Sequence, residues 1–213
     1  MKKSKVCPWW MGYMLLFPLR KIGQDPKKIL SPYIKPGMSI MDYGCAMGYF
    51  SIPLARMTGR KGHVYCVDIQ KKMLEKLKKR SVKYNVTSII RPLQVGINYH
   101  PADLSGQLDF ILLFAVVHEV PDKEKLFRDL YKMSKSGCKV LLAEPKSHVT
   151  TRNFTKSLLL AQSAGYKVID EKPLQNGLCT LLMKPKVVEP FEMTSRFNKK
   201  DAFQDQPEIS IEQ

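Results

Sequence analysis

The chain has 213 residues, 44% of them hydrophobic, which suits one compact domain with short appendages. No uninterrupted apolar run approaches the roughly 18–20 residues needed to cross a bilayer, so no membrane-spanning segment is expected. The formal charge is +16, and the five cysteines (Cys7, Cys45, Cys66, Cys138, Cys179) are odd in number, scattered and free of any C-x-x-C pair, which argues against a disulfide scaffold or a zinc site and for reduced thiols in a cytoplasmic protein.

Residues 1–24 carry Lys2, Lys3 and Lys5 and then an aromatic patch around Trp9, Trp10 and Tyr13. Pro18 and Arg20 cut the patch short and no small-residue cleavage site follows, so a secretory leader is not expected. From residue 25 onward, apolar runs alternate with helical patterns. Helices are predicted at 25–33, 48–57, 70–84, 122–134 and 151–164, and strands at 38–42, 62–67, 89–95, 108–114, 137–143, 166–171 and 178–184. Asp122, after Pro121, is a natural N-cap for the fourth helix. Such alternation predicts an α/β doubly wound sheet with helices on both faces. Only Pro173–Gly177 separates the last two strands, too little for a helical crossover, so they should pair antiparallel.

Residues 186–213 hold four basic and six acidic side chains, weakly patterned, and are expected to form a flexible tail. The positive charge therefore belongs to residues 1–185, with one concentration in residues 1–35 and another in the lysine run of residues 69–83. A solvated helix face and an attraction to nucleic acid or an anionic membrane compete for that run; the absence of interleaved aromatic residues favours the solvated face.

The densest signal is Asp42-Tyr43-Gly44-Cys45-Ala46-Met47-Gly48. A strand ends in Asp42, a glycine-containing turn follows, and a helical pattern begins: the local order that cups a nucleotide-like ligand at the end of a parallel sheet. Gly44 permits a sharp turn, and Gly48 is expected to let backbone approach a ligand. Asp68 closes the next strand, where a carboxylate meets ribose hydroxyls. A dinucleotide fingerprint needs glycine where this chain has Ala46 and Tyr49, which argues against NAD or FAD.

The D-x-G-x-A-x-G pattern instead resembles motif I of the class I S-adenosylmethionine-dependent methyltransferases, and the whole of residues 25–185 looks like that domain. Ser136-Gly137 and Ala164-Gly165-Tyr166 resemble the turns before its closing strands. The look is nearest to the type 11 group, which includes ubiquinone/menaquinone C-methyltransferase-like enzymes. The resemblance implies a seven-stranded Rossmann-like sheet of order 3-2-1-4-5-7-6 with the last strand antiparallel. It implies S-adenosyl-L-methionine as cofactor and S-adenosyl-L-homocysteine as product. Asp42, Gly44, Cys45, Ala46 and Gly48 would form the loop around the methionine part. Asp68 would hold the ribose, Ile69 would touch adenine, and Gly96, Ile97 and Phe114 would complete the cofactor wall.

Acceptor residues are harder to read. Residues 114–117 lack the D/N-P-P-Y/F motif of amine and amide methylation and the Pro-Cys nucleophile of pyrimidine C5-methylation. His118 is the candidate general base, against the alternative that it caps or packs beneath its loop. Glu119 reads as surface or structural, and Glu144 as facing the acceptor or simply ending a strand. Trp9, Trp10 and Tyr13 would form an aromatic lid over the acceptor, in competition with surface packing, membrane-interface contact and dimer contact. The expected activity is methyl transfer to a small or lipophilic acceptor. The alternatives are an RNA- or protein-directed methyltransferase docking through its basic surface and a non-catalytic cofactor-binding protein.

Overall fold

The computed structural model of the chain describes residues 8, 10, 12, 16, 23–96, 104–171 and 177–186. Seven strands form one sheet: β1 (Ser39–Tyr43), β2 (His63–Asp68), β3 (Ile90–Gln94), β4 (Leu108–Phe114), β5 (Ser134–Pro145), β6 (Lys167–Glu171) and β7 (Gly177–Met183). Their order is β3-β2-β1-β4-β5-β7-β6, as the resemblance implied. β1 to β5 pair in parallel, and β7 runs antiparallel to both β5 and β6. The expected Rossmann-like sheet is therefore present.

Helix α1 (Pro26–Leu30) precedes β1, and α2 (Ser51–Thr58), α3 (Lys71–Lys83), α4 (Lys123–Met133) and α5 (Thr151–Ser163) lie in the connections after β1, β2, β4 and β5. Side chains alternate between the two faces of each strand. Ile40, Cys66, Leu112 and Leu141 face one way and pack with Leu30, Leu54 and Leu77 of α1, α2 and α3. Met41, Val67, Leu113 and Val140 face the other and pack with Phe127, Leu130 and Ala161 of α4 and α5. Burying each such large apolar side chain is worth about 1.5–3 kcal/mol, so this two-sided packing holds the sheet between its helices.

Local chemistry sets the helix ends. The Asp122 carboxylate accepts the Lys125 N–H at 2.8 Å and starts α4. Asp25 does the same for Lys27 at 2.8 Å in α1, and Thr150 for Asn153 at 3.3 Å in α5. Three predicted boundaries move by three residues. The helix expected over 25–33 ends at Leu30. The helix expected from residue 48 begins at Ser51, because Gly48 has φ +80° and cannot be its first turn. The strand expected from residue 137 begins at Ser134, and its ladder with β4 slips between Leu108 and Phe110. Residues 172–176, most of the connection read as a tight hairpin, and residues 187–213, nearly all of the tail, lie outside the described residues.

Candidate functional site

The C-terminal ends of β1, β2, β4 and β5 lie along one edge, since Tyr43 pairs with Val67 on one side and Leu113 on the other, and Leu113 pairs with Leu142. Asp68, the loop after Tyr43, Ala115 and Glu144 are thus brought together by topology alone.

The loop is fastened to β2. The N–H groups of Gly44 and Cys45 both donate to the Val67 carbonyl, at 2.8 and 3.0 Å, and Gly48 donates to the Cys45 carbonyl at 2.9 Å. Gly44 has φ +75°, and a Cβ there would sit 2.4 Å from Val116 Cγ2. Ala46 also lies in the left-handed region, at φ +47°, where an L side chain costs about 1–2 kcal/mol. Its N–H donates to Asp68 Oδ2 at 2.9 Å, and Gln70 N–H donates to Asp68 Oδ1 at 2.8 Å. Asp68 is buried; burial raises its pKa, opposed by the backbone N–H groups of Gln70, Ala46 and Ile69. Asp68 therefore acts first as a clasp between the β2 end and the loop. A carboxylate has about four acceptor sites, so backbone donors do not exhaust it.

Gly48 has a packing role beside the expected one. A Cβ on it would lie 2.3 Å from Leu77 Cδ1 of α3, so its missing side chain admits a neighbouring helix. Asp42 is buried and accepts the Ser51 hydroxyl at 2.6 Å, tying the start of α2 to β1. Burial and the neighbouring Cys66 push the Cys45 thiol well above its usual pKa, which leaves it protonated and poorly nucleophilic. Ile69 is half-buried, Gly96 is exposed beyond β3, and Ile97 lies outside the described residues. The Phe114 ring packs on Phe50, centroids 4.4 Å apart.

The second centre is His118, in a 3-10 turn (Val117–Glu119) just beyond β4. Its Nδ1 lies 2.6 Å from Glu144 Oε2, and its backbone N–H donates to Glu144 Oε1 at 3.0 Å. Both carboxylate oxygens of a buried glutamate are thus spent on one histidine. The hydrogen bond to Glu144 raises the His118 pKa above the usual imidazole range, against partial burial, which lowers it. Nε2 stays at the half-buried edge, 4.0 Å from Glu119 Oε1, and the exposed His148 ring meets His118 edge-on at 5.5 Å. Glu144 was weighed in the sequence but not joined to His118. Aligning the ends of two adjacent parallel strands is the signal that pairs them.

The N-terminal segment reaches this edge at Gly12, which is buried; a Cβ there would lie 2.8 Å from Met47 Cε and from Met73 Sδ. Trp10 is 57% exposed. Trp9 and Tyr13 lie outside the described residues.

Residues 34–192 match a family model described as a methyltransferase domain. The chain belongs to this methyltransferase family. It is 27% identical over 110 residues to the ubiquinone/menaquinone biosynthesis C-methyltransferase UbiE of Vibrio cholerae, a stretch that covers 52% of this chain and 42% of that protein. The chain thus spans less than half the length of that relative. A UbiE of Haemophilus ducreyi is 24% identical over 159 residues, 72% of this chain and 61% of that protein. Among solved structures, a SAM-dependent methyltransferase from Aquifex aeolicus superposes with a TM-score of 0.76 at 22% identity, covering 84% of this chain and 100% of that one. The [4+2]-cyclase SpnF shares the fold with a TM-score of 0.67 at 10% identity, over 76% of this chain and 82% of that one. S-adenosylmethionine is the cofactor this methyltransferase family implies. The donor set at the β1–β2 edge suits it, since a buried carboxylate with acceptor capacity to spare stands beside a loop of left-handed backbone. No group of three or more potential metal ligands occurs among the described residues. None of the helices there is long and apolar enough to cross a membrane.

Proposed function

We propose that the chain transfers a methyl group from S-adenosylmethionine to a small or lipophilic acceptor that must lose a proton, such as a phenol- or quinol-like ring. The observation that carries this reading is the His118–Glu144 pair at the same edge as the Asp68 clasp. When bound, S-adenosylmethionine supplies an electrophilic methyl group on a sulfonium. Asp68 would hold the ribose, Ile69 the adenine side, and the backbone of Gly44 to Gly48 the methionine part, with Gly96, Ile97 and Phe114 completing the wall. Asp42 and Cys45 act behind that surface, one fixing α2 and the other filling the core.

Glu144 takes the proton-bearing Nδ1 of His118, which fixes the tautomer and leaves Nε2 as the basic nitrogen. The carboxylate also stabilises the imidazolium formed when Nε2 accepts a proton from the acceptor. Glu144 is a positioning residue in this scheme and His118 the general base. The UbiE relatives, named for ubiquinone and menaquinone C-methylation, favour a lipophilic ring as acceptor. Trp9, Trp10 and Tyr13 would cover it, consistent with Gly12 crossing Met47 at the loop. A cytoplasmic location fits these parts.

The deciding experiment measures transfer of a labelled methyl group to a panel of quinols and phenols by the native chain and by His118→Gln. Loss of transfer with unchanged cofactor affinity supports the reading. Equal rates for the two proteins would discard the general base.

A further inference from the structure

Helices on the two faces of the sheet use their charges differently. On α4, Lys125 pairs with Asp129 and Arg128 with Glu124, so two of its four cations are held by acids of the same helix. Around α2 and α3 there is almost nothing to neutralise: residues 51–85 hold ten basic side chains against Asp68 and Glu75, and Asp68 is buried. Lys71, Lys78, Lys79 and Lys83 stand exposed on α3, and no ion pair among the described residues engages them. At about 100° per residue they share one arc with a single acid, Glu75, and with Val82, which is 64% exposed, while Met73, Leu74 and Leu77 point into the core. Their charge is thus presented outward as a field rather than spent on partners.

An exposed apolar side chain lies near the first turn of the same helix. Gly12 rests on Met73 in the first turn of α3. Trp10 is two residues away, within about 7 Å along the chain, and more than half exposed. An exposed tryptophan near a lysine-rich helix face is the combination that seats a protein on a lipid headgroup layer, the ring at the interface and the ammonium groups over anionic lipid. Single-stranded nucleic acid would call for stacking faces among the cations. α3 has none: the one aromatic ring at its C-terminal end, Tyr84, has Arg56 5.0 Å and Arg80 5.7 Å from its centroid.

We propose that the α3 face with Trp10 docks the protein on an anionic membrane surface. The proposal rests on the lipophilic-acceptor reading for its purpose, since docking brings the mouth of the site to the phase in which such an acceptor dissolves. It does not rest on that reading for its physics.

The test uses the full chain with phosphatidylcholine vesicles, with and without phosphatidylglycerol. Binding is expected only when the anionic lipid is present and should weaken as salt rises. Trp9 and Trp10 are the only tryptophans, so emission should shift to the blue on binding and report on that segment alone. Lys71→Gln, Lys78→Gln, Lys79→Gln and Lys83→Gln should each weaken vesicle affinity about fivefold. Lys78, Lys79 and Lys83 lie in the later turns of α3, away from Asp68 and Ile69, so in those three variants circular dichroism and S-adenosylmethionine affinity should stay as in the native chain. Equal binding to neutral vesicles, indifference to the four substitutions, or capture of single-stranded RNA in place of vesicles would each overturn the proposal. The outcomes separate the two readings. Vesicle binding without methylation of any lipophilic acceptor sinks the proposed function alone; methylation without vesicle binding sinks the docking surface alone.

Discussion

Ala46 donates its N–H to the Asp68 carboxylate across 2.9 Å while its own backbone is held at φ +47°. One residue thus joins the two strand ends that frame the cofactor edge, and it does so in a conformation that a Cβ disfavours.

Ala46→Gly should relieve that strain and keep the hydrogen bond. The expected gain is about 0.5–1 kcal/mol, the part of the left-handed penalty that survives glycine's greater freedom in the unfolded chain. The midpoint of urea unfolding measures it. A lowered midpoint would show that the alanine methyl packs against something worth more than the strain.

Asp68→Asn should act in the opposite direction. One of the two carboxylate acceptors becomes an NH2 donor, so either Ala46 or Gln70 loses its partner, at a cost of about 1–3 kcal/mol. Cofactor affinity should fall with it, because the clasp and the proposed ribose contact are the same group. Calorimetry showing unchanged S-adenosylmethionine binding would remove Asp68 from the cofactor site.

His118 makes a prediction in pH. Its folded pKa is raised, mainly by the hydrogen bond to Glu144. The pair's contribution to stability is therefore complete below the unfolded histidine value of about 6.5 and is lost as pH rises through the higher folded value. The base is active only above that same value, so kcat/KM should rise with pH through it. Glu144→Gln should move the rising limb to lower pH and lower the plateau. His118→Ala should lower the plateau by about 10²–10⁴-fold. A pH–rate profile left in place by Glu144→Gln would break the link between the two residues.

Gly48→Ala tests the packing role of that glycine. The new methyl meets Leu77 Cδ1 at 2.3 Å, for about 1–3 kcal/mol, and also sits at φ +80°, which adds about 1–2 kcal/mol. Leu77→Ala, costly alone, should cost less in the Gly48→Ala background, and a double-mutant cycle reads the difference. Additive losses would mean that left-handed strain, and not the Leu77 contact, carries the cost.

Trp10→Ala should disturb acceptor affinity more than cofactor affinity. Titrations of each ligand decide it, and the reverse ranking would dismiss the lid.

The architecture was readable because its causes are local and periodic. Alternating apolar runs, the Asp122 cap and the short link between the last two strands dictate elements and the final reversal, and Asp42 to Gly48 with Asp68 marked the loop and the strand end that are clasped together. What escaped were matters of contact. The Gly48 gap is filled by Leu77, 29 positions away, and sequence spacing says nothing of that. His118 and Glu144 are 26 residues apart and meet only because β4 and β5 are neighbours in register. The cost hidden in Ala46 is likewise a dihedral angle, which a small residue type does not announce.

The reversed seventh strand has a practical corollary. Gly177 lies opposite Pro145 at the site edge, whereas Met183 lies opposite Lys139, about 20 Å away at 3.3 Å per residue. The polypeptide accordingly reaches Lys186 at the opposite end of the strands from Asp68 and Glu144. A dye or fusion partner attached there would begin its excursion on the far side and leave that edge clear.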